Sequence, residues 1–138
     1  MGLPKTIAFH SYKGGTGKTT LITNISAMYA RNGFNVALLD FDLYAPSLSA
    51  YFKKKPSVFL NDLLSGQAKI SDVLCDLSGE LGLSGKFFVG FSSSRKEDVN
   101  EIEKKMSTRL KSDTIQNGKL KHFEDLLKLN RNSLIRKK

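Results

Sequence analysis

Eight consecutive residues, Lys13 to Thr20 (KGGTGKTT), combine three glycines, two lysines and three threonines, a set suited to holding phosphate groups. Gly14, Gly15 and Gly17 let the backbone turn tightly and come close to an anion, so that successive N–H groups form a nest at the start of a following helix. Side chains at those positions would block the approach. Lys18 can place its ammonium among the outer phosphates, where it offsets charge that builds up during phosphoryl transfer. Thr19 supplies a hydroxyl oxygen for Mg²⁺. Asp40 and Asp42, in LLDFD, bring carboxylates that can reach that ion through its water shell or orient an attacking water. The spacing fits both roles.

These residues need elements to carry them. Lys5 to Ser11 (KTIAFHS) holds Ile7, Ala8 and Phe9 in an apolar run that ends in the glycine-rich turn, as a buried parallel strand would. Beyond Gly17, Leu21, Ile25, Met28 and Tyr29 recur at helical spacing until Arg31-Asn32-Gly33 supplies a stop. Val36 to Leu39 is a second apolar run, and Pro46 closes the turn after Asp40 and Asp42. Strand, loop, helix and strand form a βαβ unit with both polar loops at the carboxyl ends of its strands, where such sheets bind ligands. A GxGK[ST] fragment in a flexible turn would mean little, and an isolated DFD is commonly a cap or a solvated turn. The flanking strand and amphipathic helix are the context that gives both a shared site.

Further along, Val58 to Leu64 and Ile70 to Leu77 read as short helices joined at Ser65-Gly66, and Lys86 to Phe91 reads as a third strand. Lys96 to Lys111 reads as a mainly polar helix, Ser112 to Gly118 as a loop, and Lys119 to Asn130 as a helix with Leu120, Phe123, Leu126 and Leu127 on one face. The fold class expected is α/β, a P-loop-type parallel sheet flanked by helices.

Composition sets the outer limits. The 138 residues suit one domain with a core, and 40% hydrophobic with 25% charged residues is ordinary for a globular chain. No apolar run approaches the length of a membrane span, and residues 1–10 lack a signal-peptide stretch, so the expected compartment is the cytoplasm and no integral membrane segment is expected. Cys75 has no partner for an internal disulfide and reads as a small core residue, while His10 and His122 read as non-functional. The net charge of +9 is uneven: 9 basic and 6 acidic side chains lie up to residue 90, against 13 and 7 beyond it. Interspersed signs in RKEDVNEIEKKMSTRLK fit a solvated helix face. Arg131 to Lys138 is basic without acidic relief, and would attract nucleic acid or an anionic membrane.

The loop departs from the ordinary P-loop pattern, since Tyr12 stands where its first glycine would be. It resembles instead the deviant Walker A form of the ParA/MinD family, KGGTGKTT, and VALLDFDLYAPS resembles that family's second motif. The resemblance is strong through about Ser49. It implies ATP and Mg²⁺ as cofactors and residues 13–20 as the nucleotide loop. It further implies that Lys13 reaches across an ATP-dependent homodimer to the partner's phosphates, that Asp42 positions the hydrolytic water and that Asp40 supports the magnesium. It also implies a later strand ending in an aspartate, the Walker B element, beside the P-loop strand. The chain stops at NRNSLIRKK before such an element, so residues 1–138 are expected to form the amino-terminal part of a longer ATPase domain, with an open sheet edge and inefficient hydrolysis.

Within that family three functions fit. One is partitioning or positioning of cargo such as DNA, with DNA or a regulatory protein as partner. Another is MinD-like membrane cycling, which needs an amphipathic carboxyl-terminal helix. A third is iron–sulfur cluster carriage of the Mrp kind, which LDFDLYAPS resembles at YAPS and which needs a CxxC that the chain lacks. A truncated product that binds nucleotide without turnover is the non-enzymatic alternative.

Overall fold

The computed structural model describes residues 5–113. Of the expected loop Ser112 to Gly118, Ser112 and Asp113 instead continue a helix; the rest of that loop, the helix over Lys119 to Asn130, His122 and the basic end lie outside the described residues.

Helix α1 (Lys18–Arg31) follows the glycine loop, and its end is fixed by local chemistry. Gly33 adopts φ 87°, a left-handed conformation that glycine takes without a Cβ penalty. Its N–H donates to the Ala30 carbonyl, and the Phe34 N–H donates to the Tyr29 carbonyl, both at 3.1 Å. The Tyr29 and Phe34 rings meet edge to face at 5.6 Å across the turn. This is the Schellman ending that Arg31-Asn32-Gly33 predicts.

Strand β1 (Val36–Leu39) then forms over the expected residues. Three short helices follow, α2 (Leu48–Tyr51), α3 (Leu60–Ser65) and α4 (Ile70–Val73), then β2 (Leu74–Asp76), β3 (Phe87–Gly90) and α5 (Lys96–Asp113). The sheet order is β1-β3-β2. β1 and β3 pair in parallel, Val36 with Phe87 through Leu39 with Gly90, and β2 runs antiparallel to β3, Leu74 with Gly90 through Asp76 with Phe88. The sheet is therefore mixed rather than wholly parallel.

Phe87, Val89 and Phe91 are fully buried and form the core with Ala30, Leu38, Leu48 and Leu77. Cys75 packs half-buried against them, as a core residue would. On β3, Gly90 lets α3 come close: a Cβ there would lie 2.9 Å from Leu39 Cδ2 and 3.1 Å from Leu60 Cδ2.

Three expectations are corrected. Residues 5–11 form no strand, and Ile7 is 60% exposed. An extended segment becomes a strand only where a neighbour takes its N–H and C=O groups, and among the described residues none lies beside it. The first βαβ unit is thus reduced to loop, helix and strand. Second, Ile70 to Leu77 is helical only to Val73, because Leu74 to Asp76 find ladder partners on β3. Third, the helical spacing of Leu21, Ile25, Met28 and Tyr29 does not mark the buried face of α1: Leu21, Met28 and Tyr29 are each about half exposed or more, and Ile25 is half-buried. The buried face carries Thr23, Ser26 and Ala30, whose small side chains allow close approach to the sheet.

Candidate functional site

The glycine loop is held open by its own side chains. Ser11 Oγ donates to the Lys13 carbonyl at 2.7 Å, and Thr16 Oγ1 donates to Ser11 Oγ at 2.9 Å. Gly15 and Gly17 take left-handed backbone conformations, φ 71° and 83°. A Cβ added at Gly14, Gly15 or Gly17 would meet no protein atom within 4 Å. The space on that side is open, as an anion cradle requires. Lys13 is exposed and Lys18, the first residue of α1, is half-buried.

The start of α1 has no side-chain cap and no acidic residue in its first turn. Its first N–H groups therefore keep their partial positive charge for an outside acceptor, next to two lysines. Thr20 faces solvent, and its carbonyl accepts a hydrogen bond from Asn24 Nδ2 at 2.7 Å.

The aspartate loop is ordered mainly by Asp40, just past the end of β1. Its Oδ2 accepts N–H bonds from Ser47 at 3.1 Å and Leu48 at 3.2 Å, so that this carboxylate satisfies the start of α2. Its Oδ1 accepts the Asp42 N–H at 3.1 Å, and Ser92 Oγ donates to its backbone carbonyl. Asp42 is exposed and accepts the Ala45 N–H at 2.9 Å. Tyr44, farther along, donates its hydroxyl to Glu103 on α5, and that carboxylate pushes the phenol above its ordinary titration range. A cavity of about 350 Å³, lined in part by Leu43, Tyr44 and Val99, lies between this loop and α5.

The two loops meet through a side-chain hydrogen bond. Thr19 Oγ1 and Ser47 Oγ are 3.0 Å apart, and Ser47 is in turn bonded through its N–H to Asp40. The structure thus joins Thr19 to Asp40, whereas the side-chain bond of Asp42 stays within its own loop. Ser47 and Ser92 were not legible as site residues, because a lone serine has no spacing signature; the Pro46-Ser47 pair at the close of the aspartate turn was the available cue.

The donors suit the cofactors expected from the sequence. A hydroxyl and a carboxylate are hard oxygen ligands of the kind magnesium takes, few in number because phosphates and waters complete its shell. Among the described residues no group of three or more His, Cys, Asp or Glu is placed to make an all-protein metal cage. An uncapped helix start behind an open glycine turn fits an anion.

A glycine-rich loop opening a helix beside a strand that ends in an aspartate defines a nucleotide-binding α/β domain. Residues 7–134 match the family model for the CobQ/CobB/MinD/ParA nucleotide-binding domain, and the chain belongs to that family. It is 36% identical over 104 residues to an uncharacterised ATP-binding protein of Methanocaldococcus jannaschii, covering 71% of this chain and 38% of that one. It is 36% identical over 75 residues to a putative septum site-determining protein MinD of Oltmannsiellopsis viridis, covering 53% and 24%. Over 54 residues it is 41% identical to an iron–sulfur cluster carrier protein of Aquifex aeolicus, covering 39% and 15%. The chain thus spans well under half the length of each of these relatives. No solved structure gives a significant match. No helix among the described residues is long and apolar enough to cross a membrane.

Proposed function

We propose that the chain binds Mg·ATP on Lys13 to Thr20 and that ATP brings two copies together, the switch of a ParA/MinD-type ATPase that positions cargo such as DNA. The observation that carries this reading is the start of α1, uncapped, free of acid and preceded by Gly17 in a left-handed turn. In this reading the loop N–H groups and Lys18 hold the phosphates, and Thr19 and Asp40 serve the magnesium. Asp42 orients the attacking water, its exposure leaving its remaining oxygen free for solvent, and Lys13 reaches the partner's phosphates. The chemistry magnesium supplies is charge neutralisation on the phosphates.

Calorimetric titration of the 138-residue chain with Mg·ATP, with light scattering on the same samples, tests the reading. Saturable binding with association into dimers is the expected result, and Lys18→Ala should abolish binding. Binding by Lys18→Ala equal to the parent would remove the phosphate role. Lys13→Gln should keep nucleotide binding and lose association; dimers that persist in that variant would argue against a cross-dimer lysine.

Iron–sulfur cluster carriage is the second reading, supported by the YAPS stretch and by the similarity to the Aquifex carrier. Because residues 1–138 carry one cysteine, a cluster would have to form on Cys75 of two copies: anaerobic incubation with iron and sulfide should give cluster absorbance bands that Cys75→Ser abolishes if this reading holds, and bands absent from the parent would remove cluster binding by this chain.

A further inference from the structure

We propose that Ser47 is a positioning residue for the cation, which fixes the Thr19 hydroxyl so that its lone pairs face the magnesium; this rests on the reading of Lys13 to Thr20 as an Mg·ATP loop. A threonine hydroxyl has one proton and two lone pairs. To serve as a cation ligand it must point the proton away, and a proton without an acceptor swings back toward a backbone carbonyl of the preceding turn or toward the ion. Ser47 Oγ, at 3.0 Å from Thr19 Oγ1, is an acceptor on the side of the aspartate loop. Either oxygen can donate when no cation is present, but a cation on Thr19 forces Thr19 to donate and Ser47 to accept.

Ser47 is itself held in place. Its N–H is bonded to Asp40 Oδ2 at 3.1 Å, it stands at the amino end of α2, and Pro46 limits the backbone that delivers it. Asp40 is pinned by three N–H donors and by the Ser92 hydroxyl on its carbonyl. The path from Thr19 through Ser47 to Asp40 links the two cation donors, so that the hydroxyl and the carboxylate share one frame. Among the described residues the serine hydroxyl bonds to Thr19 and to no other side chain or backbone group, and its removal therefore acts on Thr19 rather than on folding.

The test compares Ser47→Ala and Ser47→Thr with the parent chain, titrating ATP once with Mg²⁺ and once with EDTA, with circular dichroism to establish folding. Ser47→Ala should lose about 10-fold or more of the affinity that Mg²⁺ adds, the size of effect expected for partners that orient metal ligands, while metal-free ATP binding stays unchanged. Ser47→Thr, which keeps the hydroxyl, should restore the Mg²⁺ effect. Equal weakening of ATP binding with and without metal would mark a merely structural serine and overturn the proposal, as would a Ser47→Ala variant whose Mg²⁺ effect matches the parent. A parent chain that binds ATP in neither condition would remove the nucleotide reading itself and this inference with it.

Discussion

Asn61 and Ser93 hold one another through two buried hydrogen bonds: Asn61 Nδ2 donates to the Ser93 carbonyl at 2.9 Å, and the Ser93 N–H donates to Asn61 Oδ1 at 2.8 Å. This side chain takes the place of a ladder neighbour for the backbone just after β3, and ties α3 to the segment that leads into α5. Asn61→Ala removes both partners and leaves a buried N–H and C=O unpaired, so it should cost about 1–3 kcal/mol in urea unfolding. Asn61→Asp keeps the shape but cannot donate in its ionised form, and should also destabilise the chain. A stability equal to the parent in both variants would show that the clamp is dispensable.

Gly85 sits against the turn that ends α1. A Cβ there would lie 2.1 Å from the Phe34 carbonyl oxygen, which is backbone and has nowhere to rotate. Gly85→Ala should therefore destabilise by about 1–3 kcal/mol through backbone displacement, whereas Gly79→Ala, with no atom within 4 Å of the new methyl, should be nearly silent. Thermal unfolding of the two variants side by side checks the contrast.

Asp76 provides the pH dependence. The Ser78 hydroxyl and then the Ser78 N–H bond to its carboxylate, with Lys86 Nζ 3.5 Å away, and together they hold it below the usual carboxylate range. A depressed folded-state pKa means that its stabilisation is present above the unfolded value, about 4, and is lost as pH falls through the folded one. Wild type should be more stable than Asp76→Asn at pH 7, and the difference should close as denaturation is repeated at successively lower pH. A gap that stays constant to strongly acidic pH would mean that the carboxylate charge contributes nothing there.

Thr23 should yield a stabilising change. Its hydroxyl is buried on the sheet-facing side of α1 and has no hydrogen-bond partner among the described residues. Thr23→Val keeps the branched shape and removes the desolvated oxygen, and should raise stability by about 1 kcal/mol. A lower urea midpoint would show that the hydroxyl does find a partner in solution.

What could be read in the sequence depended on whether the determining interactions were local. The ending of α1 lies within six residues, Tyr29 to Phe34, and was legible; so was β1, whose apolar run is bounded by Asn35 and Asp40. Residues 5–11 carry the same kind of apolar run as β1, yet a strand is made by its neighbour, and composition does not record the neighbour. Leu74 to Asp76 continued a helical pattern until β3 supplied ladder bonds. The turn of the glycine loop was legible because its conformational demands, the left-handed backbone of Gly15 and Gly17, are written in glycine, whereas Ser47 meets Thr19 only after the chain has folded back across 28 positions.

The junction of Gly33, Phe34 and Gly85 has a mechanical consequence. The Gly85 N–H is bonded to the Ala30 carbonyl at 2.8 Å, so the far end of α1 is anchored to the segment that enters β3. The helix is 14 residues long, a lever of about 20 Å with the glycine loop at its other end. A tilt of roughly 5° at the anchor would carry the loop by roughly 2 Å, more than a phosphate cradle tolerates. The direction in which the glycine loop points is thus set at the opposite end of the rod, where Gly85 has the tightest Cβ clearance of any glycine among the described residues.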